Sequence, residues 1–399
     1  MKILYIATAY PRSEQDIITP WLVETVRRLQ SAGLQITMFT SAYAGLGDQI
    51  IFGTPVKRFR YFFARWERLT HDETAIDRVQ KGLLNKLLAV FYLFFGTIAC
   101  WRLCRKEKFD IIHVHWPLPH FLFGWAGAKA CGAPIVISFH GAELMAVRHK
   151  FRILRPFLRW AISRADRVTA NSTHTVRAIQ EIFNRQVDII PFGATVGEPA
   201  RSSEPGVNGE KHVLFVGRLV ERKGVRYLIQ AAALLRQKQP VIIDIVGSGP
   251  ELAALRKLTA ELGLEGTVRF HGSVPQAQLE ELYARCDLFV LPAVIDAKGD
   301  TEGLGVVLIE AMTCKKPVIA SAVGGITDLV IDGKTGLTVP PADPEALARA
   351  IARLLENPGL ARNLAEGGYE HIQRNYSWHA IIDRLINLYH QLQPAGSEK

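Results

Sequence analysis

Gly299-Asp-Thr-Glu-Gly-Leu-Gly-Val-Val-Leu-Ile-Glu-Ala-Met312 lies between two short apolar runs, Asp287 to Pro292 and Pro317 to Ser321. A β-branched run, a glycine turn, an apolar helical stretch and a second β-branched run form the repeating unit of a parallel sheet, which predicts an α/β fold. Val306 to Met312 is too apolar for a surface helix, so Glu310 is expected to be a partly buried acid held by a partner. A helix starting near Gly303 would present unpaired amides and the positive end of its dipole where the glycines admit a close approach, which suits a diphosphate. Gly303 and Glu310 would then share a face, about 10 Å apart along the axis. That span matches an elongated ligand with an anionic centre and hydroxyls at its ends, such as a sugar nucleotide. Two glutamates around a glycine turn also fit a capped core helix with one satisfied acid, so the neighbouring motifs have to decide.

Outward from this segment the same alternation fills the chain. Strands are predicted at Lys2 to Thr8, Leu34 to Ser41, Val56 to Phe62, Asp110 to Trp116, Pro134 to His140, Arg167 to Asn171 and Val187 to Phe192. After a Gly, Pro and Ser-rich stretch they resume at Val213 to Leu219, Ile242 to Gly247 and Val268 to Gly272. Thr19-Pro20 reads as a hydroxyl N-cap followed by proline at the first helical position. A chain of 399 residues exceeds one core, so two Rossmann-like, doubly wound domains facing across a cleft are expected, with ligands beyond the carboxyl ends of the strands. The expected division is residues 1–195, a linker at 196–210, a second domain at 211–375 and a C-terminal helix at 376–393. The tail after Gln393 is expected to be disordered.

Several second-half turns fall at those carboxyl ends. Gly217-Arg218-Leu-Val-Glu-Arg-Lys223-Gly224 supplies two cations able to clamp a diphosphate, Arg218 as a planar fork and Lys223 as a point charge. Gly247-Ser-Gly249-Pro250 and Gly324-Gly325-Ile326 are turns that could admit a phosphate or merely reverse the chain. The first lacks the third glycine of a dinucleotide fingerprint. His113 and His115 alternate onto one sheet face and read as hydrogen-bonded core residues, and Asn171 and Ser172 as caps of the following helix.

The net charge of +10 is uneven. Through Ala200 there are 26 Lys and Arg against 15 Asp and Glu, and beyond it 22 against 23. Arg148, Lys150, Arg152, Arg155, Arg159, Arg164 and Arg167, interleaved with Phe151, Leu154, Phe157, Leu158 and Trp160, read as a basic amphipathic helix suited to an anionic membrane surface or substrate. No nucleic-acid-binding motif accompanies them. Leu87 to Trp101 is 15 uncharged residues, roughly 22 Å as a helix and short of a ~30 Å hydrocarbon core, so a buried or interfacial helix is expected. Five scattered cysteines and no signal peptide point to a reducing cytoplasm.

Taken together these motifs resemble the retaining glycosyltransferases of family 4, which have the GT-B fold. The likeness runs through FDIIHVHW around residue 113, SFHG ending at Gly141, IIPFGA near 191, GRLVERKG, VGSGP, FHGSV near 272, GDTEGLGVVLIEAM, PVIASAVGGI, DGKTGLTVPP and the late YSW. It implies that Arg218 and Lys223 neutralise the donor diphosphate and that Glu310 binds the ribose. Glu302 and the amides of Gly303, Leu304 and Gly305 would hold the donor sugar, and the backbone at Ser273 and Val274 would meet the base. Gly217, Gly247 and Gly249 would line the donor site, and His140 would approach the transferred sugar. The final helix would cross back onto the first domain. The loop Ala7 to Trp21 departs from the family in having no glycine, which puts a phosphate contact from it in doubt.

The expected reaction is transfer from a nucleotide diphosphate-sugar with retention at the anomeric carbon, catalysed through His140, Glu302, Arg218 and Lys223. No metal or cofactor is expected, since two cations already fill the place of a divalent ion. A lipid-linked glycan at the cytoplasmic leaflet is the expected acceptor. Alternatives are a sugar-nucleotide epimerase of the same fold and a non-catalytic sugar-nucleotide-binding scaffold.

Overall fold

The computed structural model describes residues 1–16, 18–71, 75–193, 210–236 and 239–393. It divides into two compact units, Met1–Ile190 together with residues from Ile382, and Pro191–Ile381. The expected linker, except for its last residue, and the tail after Gln393 lie outside the described residues.

In the first unit the chain runs through β1 (Lys2–Ile6), α1 (Pro20–Ser31), β2 (Gln35–Ser41), β3 (Gln49–Ile51), β4 (Thr54–Phe59), α2 (Ala75–Gln80), α3 (Leu83–Lys106) and β5 (Ile111–His115). It continues through α4 (Pro117–Cys131), β6 (Ile135–Phe139), α5 (Ala142–Met145), α6 (Arg155–Arg164), β7 (Arg167–Ala170), α7 (Thr173–Gln180) and β8 (Asp188–Ile189). The sheet order is β3-β4-β2-β1-β5-β6-β7-β8, parallel except for β3, which runs against β4. Strands covered on both faces must be apolar throughout, and β1, β5 and β6 are buried almost end to end. Beyond β1 the strand order reverses between β1 and β5, a switch point that opens a crevice at their carboxyl ends.

Two local expectations are corrected here, and the bounds of a third element are extended. Helix α1 does begin at Pro20, but Thr19 sits in the left-handed region at φ 48°. Its hydroxyl is buried without a hydrogen-bond partner among the described residues, so it does not cap the helix. The basic run is not one amphipathic helix. The chain breaks at Phe151 (φ −129°, ψ 52°), leaving a short π-helical segment Ala146–Lys150, a 3-10 turn Arg152–Leu154 and α6, with Arg167 on a strand. Helix α3 extends the uncharged stretch at both ends to 24 residues, about 36 Å, and by length and composition it could cross a membrane. Ser172 caps α7 as expected, accepting from the Thr175 amide, while Asn171 accepts from the Thr175 hydroxyl.

The second unit contains β9 (Lys211–Val216), α8 (Val225–Leu235), β10 (Val241–Val246), α9 (Leu252–Glu261), β11 (Val268–Gly272), α10 (Gln276–Arg285), β12 (Leu288–Leu291) and α11 (Val306–Thr313). It is followed by β13 (Val318–Ser321), α12 (Ile326–Leu329), β14 (Leu337–Val339), α13 (Pro344–Glu356) and α14 (Pro358–Asn375). The last helix, α15 (Trp378–His390), starts in this unit and belongs to the first from Ile382 onward. The sheet order is β11-β10-β9-β12-β13-β14, parallel throughout. The chain winds outward from β9 through β10 and β11, then outward from β12 through β13 and β14. The switch point therefore lies between β9 and β12, and the loops after those two strands, 217–224 and 292–305, flank it. Val225, Leu228, Ile229, Leu308, Ile309 and Met312 bury the two crossover helices against this sheet.

Candidate active site

The loops at the switch point are built into one rim by their backbones. The Gly217 amide donates to Val246 O at 3.0 Å, Leu219 to Ser248 O at 2.9 Å and Gly247 to Gly272 O at 2.7 Å. A Cβ on Gly247 would lie 2.0 Å from Gly217 O, so this glycine is required by the packing of one turn on another. The same holds for Gly325, whose amide donates to Glu302 O at 2.9 Å and whose added Cβ would lie 2.0 Å from Gly303 O. Gly249, by the same measure, abuts Leu219 O at 2.3 Å. The glycines expected to admit a ligand thus act first by bringing four turns together. Ser273, on the turn after β11, is exposed, and its hydroxyl lies 3.3 Å from that of Ser248; Val274 is half-buried and packs on the core.

Two side chains join the halves of the rim directly. Lys223, at the end of a 3-10 turn, forms an ion pair with Glu302 Oε2, with both side chains largely buried. Val294 N donates to Arg222 O at 2.8 Å and Ala297 N to the Glu221 carboxylate at 3.2 Å, tying loop 292–305 to loop 217–224. Arg218 is exposed. No hydrogen bond or ion pair to its side chain occurs among the described residues, so it is a free cation on the loop that also carries the paired one.

Helix α11 starts at Val306, with Gly305 (φ 87°) as its N-cap, three residues later than expected. Gly303 precedes the helix, so the two-turn spacing from Gly303 to Glu310 does not hold; Val306 to Glu310 is about 6 Å of helix. The correction adds to the donor capacity of the loop. The amides of Gly303, Leu304 and Gly305 take no hydrogen-bond acceptor among the described residues, and they stand at the positive end of α11 next to Lys223 and Glu302. Glu310 is buried, as expected, and accepts from the Tyr283 hydroxyl at 3.0 Å. Burial, and then the neighbouring Glu310 charge, hold that hydroxyl well above its usual pKa, so it remains a donor. Tyr283 lies on α10, and nothing in the sequence pattern distinguished it from core.

In the first unit His140 follows β6, and its amide donates to Glu143 Oε1 at 2.9 Å. Its ring stacks on His115 at 5.3 Å and 8°, with Nε2 lying 3.1 Å from His115 Nδ1. Trp21 and Trp116 enclose it at 4.9 and 4.7 Å. His113 continues the ladder, its two nitrogens 2.6 Å from the Tyr389 hydroxyl of α15 and from the Ser138 hydroxyl. Burial holds all three imidazoles well below their usual pKa, His115 at about 3. They are neutral at physiological pH, and His113 is the hydrogen-bonded core residue the alternation suggested. Burial raises the Glu143 carboxyl to about 7, against amide hydrogen bonds that lower it. Its Oε2 is buried without a partner among the described residues. The glycine-free loop after β1 is clamped by buried Arg58, whose guanidinium donates to the Pro11 carbonyl at 2.7 Å.

Comparison with known proteins identifies the family and the fold. Residues 198–371 match the profile of glycosyl transferases group 1 and residues 21–198 that of glycosyltransferase family 4. A D-inositol 3-phosphate glycosyltransferase of Salinispora tropica is 29% identical over 92% of this chain and 80% of its own length. A GDP-mannose-dependent alpha-(1-6)-phosphatidylinositol monomannoside mannosyltransferase of Mycolicibacterium smegmatis is 33% identical over 72% of this chain and 78% of its own. Anabaena HepE, solved with UDP and glucose, superposes with a TM-score of 0.70 over 98% of this chain and 100% of its own at 20% identity, a likeness of fold. The chain therefore belongs to glycosyltransferase family 4, has the GT-B fold of two Rossmann-like domains, and is a glycosyltransferase that uses a nucleotide-sugar donor.

Proposed function

We propose that the chain transfers a sugar, with retention of anomeric configuration and without a metal or cofactor, from a nucleotide diphosphate-sugar to a lipid-linked glycan in polysaccharide or glycoconjugate synthesis. The observation that carries this reading is the Lys223–Glu302 pair beside free Arg218 and the unpaired amides of Gly303, Leu304 and Gly305. As the bond from the anomeric carbon to the diphosphate breaks, its electron pair goes to the leaving phosphate oxygen. Arg218, Lys223 and the amides take up that charge, a contribution commonly worth several kcal/mol. The acceptor hydroxyl adds on the same face and its proton passes to the departing phosphate, so no enzyme nucleophile is required.

Glu302 holds sugar hydroxyls, Glu310 the ribose, Gly217, Gly247, Gly249, Ser273 and Val274 line the nucleotide end, and His140 meets the transferred sugar. A lipid acceptor is supported by the basic first half and by the phosphatidylinositol mannoside named for the mycobacterial relative. The protein then works at the cytoplasmic face of an anionic membrane.

A thermal-shift panel of nucleotide sugars, followed by transfer assays on lipid extracts, tests the reading. One donor should raise the unfolding temperature by mass action and label a lipid. A donor that binds without any transfer would instead fit a scaffold, and donor conversion without an acceptor would fit an epimerase.

A further inference from the structure

Helix α3 has no charged residue between Lys86 and Arg102, yet only one of its sides is packed. Leu88, Tyr92, Gly96, Cys100 and Cys104, at four-residue intervals, are buried. A Cβ on Gly96 would lie 2.5 Å from the Phe123 ring of α4, and one on Gly127 would lie 2.9 Å from Cys104 Sγ. These close seats fix α3 against α4. On the opposite side Leu83, Leu87, Val90, Phe94 and Trp101 form a stripe at helical spacing, exposed by 83, 49, 61, 58 and 38%. Phe91 extends this surface sideways: its ring is 5.2 Å from Phe62, which stacks on Trp66 beside exposed Phe63. Contiguous apolar surface of this kind marks an interaction site.

We infer that this stripe docks in the plane of a lipid bilayer, buried at the boundary of headgroups and acyl chains, with the helix axis along the surface. The inference rests on the reading that the acceptor is carried by a membrane, and it names the face and the mode of contact. Two observations select lipid over a protein partner, and a third sets the helix along the surface rather than across it. Leu83–Lys106 contains no acidic residue, and its cations Lys86, Arg102, Arg105 and Lys106 lie at its two ends, where headgroup phosphates would meet them. Two exposed tryptophans carry stacked guanidiniums, Arg105 over Trp101 at 4.8 Å and Arg65 over Trp66 at 4.7 Å. Aromatic rings and snorkelling cations are the side chains that settle at headgroup depth. The helix cannot cross the bilayer without leaving its seat on α4, and its uncharged stretch spans only about 22 Å.

The test is flotation of the full chain with phosphatidylcholine vesicles, with and without phosphatidylglycerol, at low salt and at about 1 M, where charge interactions are screened within about 3 Å. The wild type should bind both compositions and keep its phosphatidylcholine binding at high salt. The double variant Val90→Glu, Phe94→Glu should lose tenfold or more of that binding while keeping its unfolding temperature and its donor-induced shift. Should the double variant misfold, quenching of tryptophan by brominated acyl chains gives an independent reading: the wild type should be quenched and Trp101→Phe clearly less so.

Binding confined to anionic vesicles, abolished by salt and equal in the double variant, would overturn the role of α3 and leave the membrane reading standing on the basic surface. Failure to bind any vesicle would remove both. A double variant that changes a dimer to a monomer in light scattering, with vesicle binding unaltered, would assign the stripe to a second copy of the chain instead.

Discussion

Replacing Glu143 by Gln isolates one buried carboxyl next to His140, the residue proposed to meet the transferred sugar. Glu143 is 3% exposed, accepts from the His140 amide through Oε1 and has no partner at Oε2 among the described residues. Burial raises it from the usual 4.5 to about 7. Unfolded, it releases its proton near 4.5; folded, it keeps the proton to about 7, so between these values the native state binds more protons. Stability from this group is therefore fully present below the unfolded value and is lost as pH rises through the window. At about 1.4 kcal/mol per pH unit the total is about 3 kcal/mol, with about 2 kcal/mol of it between roughly pH 5 and pH 8.

Gln keeps the acceptor for the His140 amide and cannot titrate. Glu143→Gln should therefore gain about 2 kcal/mol on the wild type across that interval, with donor turnover near neutral pH close to wild type. Urea unfolding followed by tryptophan fluorescence is the assay, because six of the seven tryptophans lie in Met1–Ile190 and report that unit. Parallel wild-type and variant curves across the window would show that the carboxyl is ionised or solvated in the folded chain, and the reasoning would fail.

Arg218→Ala should leave the unfolding temperature unchanged, since the side chain is exposed and unpaired, and lower kcat/KM roughly 10²–10³-fold in steady-state kinetics. Lys223→Ala should lower kcat/KM similarly and also destabilise the chain, because it leaves the largely buried Glu302 carboxylate without its cation; a thermal melt alongside the kinetics separates the two variants. Gly325→Ala must displace the Glu302–Gly303 backbone, at a cost of about 1–3 kcal/mol, and should abolish donor-induced stabilisation in the thermal-shift assay. Asp244→Asn probes the acid limb. Burial would raise that carboxyl, but hydrogen bonds from His212 and His271 at 2.7 Å prevail and lower it. Its stabilisation is present above the unfolded pKa and lost as pH falls through the folded one, so the deficit of the variant should be largest near neutrality and close on acidification.

Much of this was legible in the residues. Runs such as Ile111–His115 and Val241–Val246 declare buried parallel strands because both faces are covered, and the expected bounds lie within a few residues of those found. Edge strands β3 and β14, three residues each, carry too few side chains to form a pattern. Thr19-Pro20 marked the right helix start for the wrong reason: proline set N1, while a left-handed backbone turned the hydroxyl away from the helix amides. The basic run looked periodic because arginines recur at helical intervals, but spacing alone does not report the break at Phe151. Lys223 and Glu302 were both singled out, 79 positions apart; that they meet follows from strand order, which no local pattern contains. Glu143, Tyr283 and the tryptophans around His140 carry no local signal, since their significance is tertiary.

Calorimetric titration of the wild type and of the double variant Arg218→Ala, Lys223→Ala with a nucleoside diphosphate and the matching monophosphate tests the central claim most directly, the base being the one selected by the thermal-shift panel. The account predicts that the wild type prefers the diphosphate by a factor of ten or more, about 1.4 kcal/mol, and that the preference vanishes in the double variant while monophosphate affinity changes little. An undiminished preference for the diphosphate in the double variant would contradict it.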